Sequence, residues 1–157
     1  MSISVTAKSK FEIGTTAPAT SVGDFDADTY TAVKGIEDLG EFGDEAEEIK
    51  FSTIEDARVR KLKGVRDAGK MDLVVGFDAL DPGQVKLRQA LASDLAFNFH
   101  ITLNDAPTTN GTPTEYFFKG KVMSARTMAG KVNDVVRQKV SISIDSEPLI
   151  VPAATGA

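Results

Sequence analysis

Cysteine and tryptophan are absent from the 157 residues, and histidine occurs once, at His100. The first absence excludes disulfides, thiolate nucleophiles and cysteine-bound metal, and it fits a cytosolic origin. A lone histidine would need a nucleophile and an orienting carboxylate beside it to act as a base. His100 falls instead on the polar side of an alternating segment, with Asn98 and Thr102, where a surface or interface residue is expected. No apolar run approaches the ~18 residues of a membrane-spanning helix. Residues 1–8 lack a basic stretch followed by an apolar one, so no secretory signal is expected there. Basic charge is also short: Lys and Arg number 18 against 23 Asp and Glu, a net charge of −5. A tight binder of nucleic-acid phosphates needs a basic face, so that class is disfavoured, while a surface past which DNA slides without sticking is not.

The usual chemical constellations are missing too. Asp24, Asp26 and Asp28 alternate as the acids of a calcium loop do, but without the loop's glycine and its closing glutamate. Adjacent acids such as Glu47 and Glu48 sit in a glycine-punctuated stretch, where solvated charge is expected rather than a carboxylate pair held in a cleft. Gly14, Gly23, Gly40 and Gly43 do not form a phosphate cradle between a strand and a helix. No catalytic, cofactor-binding or metal-binding residue is assigned, and no enzyme activity is expected.

What the chain has in quantity is period-two alternation. Met71, Leu73, Val75 and Phe77 share one side of a segment over 70–78. Leu95, Phe97, Phe99, Ile101 and Leu103 do so in the next, and Val136, Gln138, Val140, Ile142 and Ile144 in a third. Residues 115–125 form a further strand, 29–33 and 48–53 shorter ones, and 149–151 a short terminal one. Asn110-Gly111 marks a turn. One helical signal stands out, over about 82–93. Asp81 caps it, Pro82 suits the first turn, Gln84 is placed to complete a capping box, and Leu87, Ala90 and Leu91 follow at helical spacing. Many strands and one helix predict a mainly β domain, a β-sandwich or barrel with the helix packed on it. Residues 1–28, small, polar and interrupted by Pro18, are expected as a flexible arm in which Phe11-Glu12-Ile13 is able to pair as a short strand. Residues 29–151 are the domain, and 152–157 a tail.

Charge is segregated in one region. Residues 37–56 carry nine acids against Lys50 alone, and residues 57–70 carry six bases against Asp67. One reading is a solvated loop. The other is a pair of complementary patches between subunits, with Glu41, Asp44, Glu45, Glu47 and Glu48 set against Arg58, Arg60, Lys61 and Lys63.

Several segments, in order, resemble the major tail tube proteins of long-tailed bacteriophages of the siphovirus and myovirus kind. They are Tyr30-Thr31-Ala32-Val33-Lys34-Gly35-Ile36-Glu37-Asp38-Leu39, Gly43-Asp44-Glu45-Ala46-Glu47-Glu48-Ile49, and Lys63-Gly64-Val65-Arg66-Asp67-Ala68-Gly69 before a strand ending Gly76-Phe77-Asp78. The helix opening Asp81-Pro82-Gly83-Gln84 follows, then Phe118-Lys119-Gly120-Lys121-Val122 and Val140-Ser141-Ile142-Ser143-Ile144. Val65-Arg66-Asp67 stands where that family favours Leu-Lys-Asp, and Asp145-Ser146-Glu147-Pro148 where it often has a Ser-Gly turn. The resemblance implies a virion protein, assembled in the host cytoplasm as stacked hexameric rings around a tape measure protein. It further implies a tail terminator and distal tail or baseplate proteins as partners, and a lumen through which DNA leaves. No cofactor and no membrane are implied. On that reading the charged patches join ring to ring, and an acidic wall, with Asp72, Asp78, Asn98 and Thr102 as candidates, keeps DNA from sticking. A type VI secretion-like tube subunit and a monomeric ligand-binding β-barrel are the alternatives.

Overall fold

The computed structural model describes residues 3–156; Met1, Ser2 and Ala157, at the ends of the expected arm and tail, lie outside the described residues. Ten strands and two helices follow one another as β1 (Lys10–Ile13), α1 (Val22–Asp26), β2 (Thr31–Val33), β3 (Ile36–Asp38), β4 (Glu45–Ser52), β5 (Val59–Asp67), β6 (Lys70–Gly76), α2 (Pro82–Ala92), β7 (Phe97–Thr102), β8 (Glu115–Met128), β9 (Arg137–Ile144) and β10 (Leu149–Val151). Eight strands form one sheet in the order β2-β1-β7-β8-β9-β6-β3, with β10 also on β8, while β4 and β5 pair only with each other.

The 14-residue β8 organises the sheet. Its first half pairs with β7 (Phe99 opposite Phe118) and its second half with β9 (Val122 opposite Ile142), with a bulge between Val122 and Ser124. A bulge bends its strand and sharpens the twist. The sheet folds over at this strand into two layers, a sandwich that encloses Phe11, Ile13, Phe99 and Ile101 from one layer and Met71, Leu73, Val75, Val140 and Ile142 from the other. Each set is one side of an alternating strand, as the period-two pattern predicts. Phe77 departs from it: 39% exposed, it lies beyond the end of β6 with the Arg88 guanidinium over its ring.

The helix α2 adds Leu87 and Ala90 to the same core. Asp81 caps it by accepting from the Gln84 amide, and its other bond comes from the Lys34 amide, which ties the helix start to the chain just after β2. The expected capping box does not form. The Gln84 side chain, fully buried, donates instead to the carbonyls of Lys34 and Gly76 and accepts from the Asp78 amide. It thereby joins three chain segments and satisfies two carbonyls and an amide at that corner, a stronger demand than a second cap. Gly83 is required here: a Cβ would stand 2.2 Å from the Ala32 carbonyl oxygen.

The N-terminal segment is not the free arm expected over 1–28. From Lys10 onward it belongs to the fold, because β1 lies between β2 and β7 and buries Phe11 and Ile13 completely. The pairing anticipated for Phe11-Glu12-Ile13 is therefore a central one. The helix α1, which the apolar pattern did not signal, is held by a capping box between Ser21 and Asp24 and buries Phe25.

Candidate functional site

Three surfaces frame what the molecule can do. The first is the outer face of the layer containing β1, β7 and the start of β8. Alternation places Glu12, Asn98, His100, Thr102 and Phe117 there, opposite one another across the strands. Residues 15–30 cross this face as a strap. Phe25 and Ala19 pack on Phe117 with Leu149 and Val151, a second small core on the far side of the sheet. Tyr30 donates from its hydroxyl to the Phe25 carbonyl at 2.7 Å, and burial, then the charges of Asp28, Asp26 and Glu12, push its phenol well above the usual range.

The strap is pinned at Asp28. This carboxylate accepts from the Thr15 amide at 2.8 Å, the Thr15 hydroxyl at 2.5 Å, Asn98 Nδ2 at 2.8 Å and the Thr29 amide at 2.9 Å. Burial pushes its carboxyl up, but the bonds from Thr15, Asn98 and Thr29 outweigh that and hold it below the ordinary 3.8. Asn98 also donates to the Ala17 carbonyl. His100 stacks at 4.5 Å on Phe117, with Glu12 at 3.4 Å from Nδ1 and Glu115 at 3.2 Å from Nε2. The Thr102 hydroxyl lies 3.2 Å from Nε2, so the ring is held by a hydroxyl and two carboxylates on the face that the strap crosses. Asn98 is therefore no channel-wall residue: it is fully buried, because a strap of the same chain covers the face on which it lies. Thr102 is half-buried beside His100. Asp78 is exposed in the turn before α2, where its carboxylate accepts from the Leu80 amide.

The second surface is the outer face of β6, β9 and the second half of β8. No strap crosses it. Asp72 lies here opposite Ser141, with Lys70 opposite Ser143, Lys139 opposite Arg126, and Lys121 also opposite Ser143. Of the four candidate wall residues only Asp72 belongs to this bare face, where Lys70, Lys121, Arg126, Arg137 and Lys139 outnumber the acids at its β3 margin, Asp38 opposite Val74 and Glu37 paired with Arg137. An acidic character is thus not built into it.

The third surface is the β4–β5 hairpin. Within this charged stretch only 48–53 is expected as a strand, whereas the structure forms two long, exposed strands, with Glu48 opposite Lys63 and Lys50 opposite Lys61. Alternation is the signal that predicts them, but the lysines and arginines mask it in β5. The two charge blocks adjoin in one hairpin, where Glu48 approaches Lys61 at 3.8 Å and Asp56 approaches Arg60 at 2.6 Å. Glu41 and Asp44 precede β4, and Arg58 sits in the connection at the tip. The face opposite the charges carries Ile49, Phe51 and Leu62, each about half exposed. An isolated two-stranded hairpin is marginal in water, so this apolar face calls for a cover.

Among the described residues no three His, Cys, Asp or Glu side chains are grouped to hold a metal ion, and no helix is long and apolar enough to cross a membrane. No protein-family model and no curated protein sequence matches the chain. Solved structures do. A chain of the anti-feeding prophage baseplate, solved with six-fold symmetrisation, superposes with a TM-score of 0.70 over 97% of this chain and 97% of its own, at 13% identity. The chain has a tail-tube-like fold. The SPP1 tail tube aligns at a TM-score of 0.64, 14% identity, over 92% of this chain and 76% of that one. A gene transfer agent tail with C6 symmetry aligns at 0.63, 13% identity, over 90% and 94%. The mainly β, sandwich-like architecture with one packed helix expected from the sequence is the one these tail-tube-like neighbours share.

Proposed function

We propose that this chain is a structural subunit that assembles into stacked six-membered rings, forming a tube. The observation that carries this reading is the exposed hairpin: two long strands with an uncovered apolar face, on a body whose likeness to subunits of six-fold tail and injection-system particles runs along nearly its whole length. Closure of strands into a ring removes exposed sheet edges, and a head-to-tail contact that closes by rotation is propagated by stacking. In this reading the subunit does no covalent chemistry and holds no cofactor.

The finer reading is a bacteriophage tail tube in the virion, with a tape measure protein inside, a terminator at one end, distal tail or baseplate proteins at the other, and DNA passing through the lumen. The likeness to the SPP1 tail tube supports it, and the greater likeness to the anti-feeding prophage baseplate chain, with that to an extracellular contractile injection system, supports an injection-system or type VI secretion-like tube instead. A ligand-binding barrel is disfavoured, because stacked, fully buried rings of Phe11, Phe99 and Phe118 occupy the interior. The bare β6–β9–β8 face is the candidate lumen wall, with Asp72 upon it. Residues 3–9, ahead of β1, are the part of the N-terminal segment left to bridge to a neighbour.

Electron microscopy of the concentrated protein in negative stain tests this. Rings and tubes about one subunit fold thick are expected, and solitary particles at every concentration would refute the proposal. Charge reversal at Arg58 and Arg60 is expected to leave the monomer folded and rings intact while abolishing their stacking. Normal tubes from R58E/R60E would remove the ring-to-ring role assigned to that end of the hairpin.

A further inference from the structure

One edge of β8 is bare for half its length. On the side where β7 lies, pairing ends at Gly120 opposite Phe97. On the other side, β9 continues to pair as far as Met128. Residues 121–128 therefore offer a row of backbone N–H and C=O groups that no strand among the described residues meets, and such groups seek partners. The hairpin offers two more bare edges, the outer sides of β4 and β5, since the pair makes its own sheet. The lengths match: eight residues on β8, eight in β4 and nine in β5.

Charge separates the two. Between residues 121 and 128 the charged side chains are Lys121 and Arg126. The β5 edge, with Arg60, Lys61, Lys63 and Arg66, would oppose them with like charge. The β4 edge brings Glu45, Glu47 and Glu48 against Lys50 alone. Opposite charges across strands stabilise a pair and like charges oppose it. Resting on the ring reading above, we propose that the bare edge of β8 in one subunit receives β4 of a second copy of this chain, so that each hairpin extends its neighbour's sheet within the ring.

The faces agree with this pairing. Glu48 and Lys50 share one side of the hairpin, Ile49 and Phe51 the other. In β8, Lys121 and Arg126 face out and Val122 faces the core. Setting Glu48 over these bases turns Ile49 and Phe51, with Glu45 and Glu47 on their side nearer the start of β4, toward the neighbour's core side. There Leu95, 60% exposed, stands two residues ahead of Phe97, where β7 leaves the β8 edge uncovered. The same docking covers the apolar face of the hairpin and leaves the basic β5 edge and Arg58 to reach the next ring.

The test uses the full chain with reversed edges: E45K/E47K/E48K on β4, and K121E/R126E on β8. All five side chains are exposed, so thermal unfolding of each variant monomer is expected to match that of the unaltered chain. Each variant alone is expected to lose rings in negative stain and in sedimentation. Mixed one to one, the two are expected to regain them, because every hairpin then meets an edge of opposite charge. Amide exchange in rings of the unaltered chain supplies a second measurement, with at least tenfold slowing over 45–52 and 121–128 relative to monomer. Rings from either variant alone, no recovery on mixing, or unchanged exchange over those segments would each overturn the edge assignment while leaving the ring reading intact. Absence of rings from the unaltered chain would overturn the ring reading itself.

Discussion

Over β1, β7 and the first half of β8, the outer face of the sheet lies under residues 15–30, whereas over β6, β9 and the second half of β8 it lies bare. Both halves are written in the same alternating pattern, polar against apolar. The covered half holds Asn98, His100 and Thr102, residues no less polar than the Ser141, Ser143 and Lys139 of the bare half. The difference is in the partners. Most polar groups of the covered half answer a group on the strap or a neighbouring strand, such as Asp28 for the Asn98 amide nitrogen and Glu12 with Glu115 for His100, although Asn98 Oδ1 is buried without a partner. Lysines and serines of the bare half have water. Polarity on a strand thus marks a need for hydrogen bonds, and either the same chain or solvent is able to meet it.

The comparison is broken most sharply by truncating one apolar side chain in each half. Phe117→Ala empties the second core beneath the strap and is expected to destabilise the monomer by about 3–5 kcal/mol, whereas Met123→Ala on the bare half stays within about 0.5 kcal/mol. Urea unfolding of the two variants checks this, and equal losses would mean that the strap does not form a core. Next in size is Asn98→Ala, which removes one donor from the Asp28 carboxylate and leaves the Ala17 carbonyl with Lys119 Nζ as its one side-chain donor. A loss of about 1–3 kcal/mol is expected, against a negligible change for Ser141→Ala. Faster amide exchange confined to residues 15–30 would locate the effect. The smallest effect is a pH dependence. Because the Asp28 carboxyl is held below its ordinary 3.8 by Thr15, Asn98 and Thr29 after burial has been overcome, its contribution is complete above that ordinary value. It is lost as pH falls through the lower value of the folded state. Asp28→Asn is expected to flatten this acid limb of the stability profile, while Asp72→Asn on the bare face leaves it unchanged.

Much of the sheet was legible because burial is one-sided. Met71, Leu73 and Val75, or Val140, Ile142 and Ile144, alternate cleanly, and each set meets the core. The helix start at Asp81-Pro82-Gly83-Gln84 was legible from capping chemistry, although the role of Gln84 was not, since its partners Lys34 and Gly76 are distant in sequence or lie on another element. Residues 10–28 were misread for a related reason. Phe11 and Ile13 are two apolar positions in a polar stretch, too few for periodicity to signal a central strand, and Phe25 gains its place through Phe117, far along the chain. In the hairpin, β4 was legible as a strand over 48–53, but β5 was legible only as charge, because it carries no buried residue to reveal its alternation. Of the candidate wall residues, Asp72 keeps its place on an open face, while Asn98 was hidden by a strap whose docking no local pattern announces.

The pairing of β1 with β7 sets a timetable for synthesis. Phe11 and Ile13 meet Ile101 and Phe99, so β1, although β2 is near in sequence and able to pair with it early, lacks its other neighbour until residue 102 has been made. At roughly 5–20 residues per second that interval lasts several seconds. In the later part of it the β4–β5 hairpin has already been made, able to form from local pairing alone. A nascent chain would therefore display its sticky element before it owns a finished body, and neighbouring ribosomes on one message would hold such elements close together.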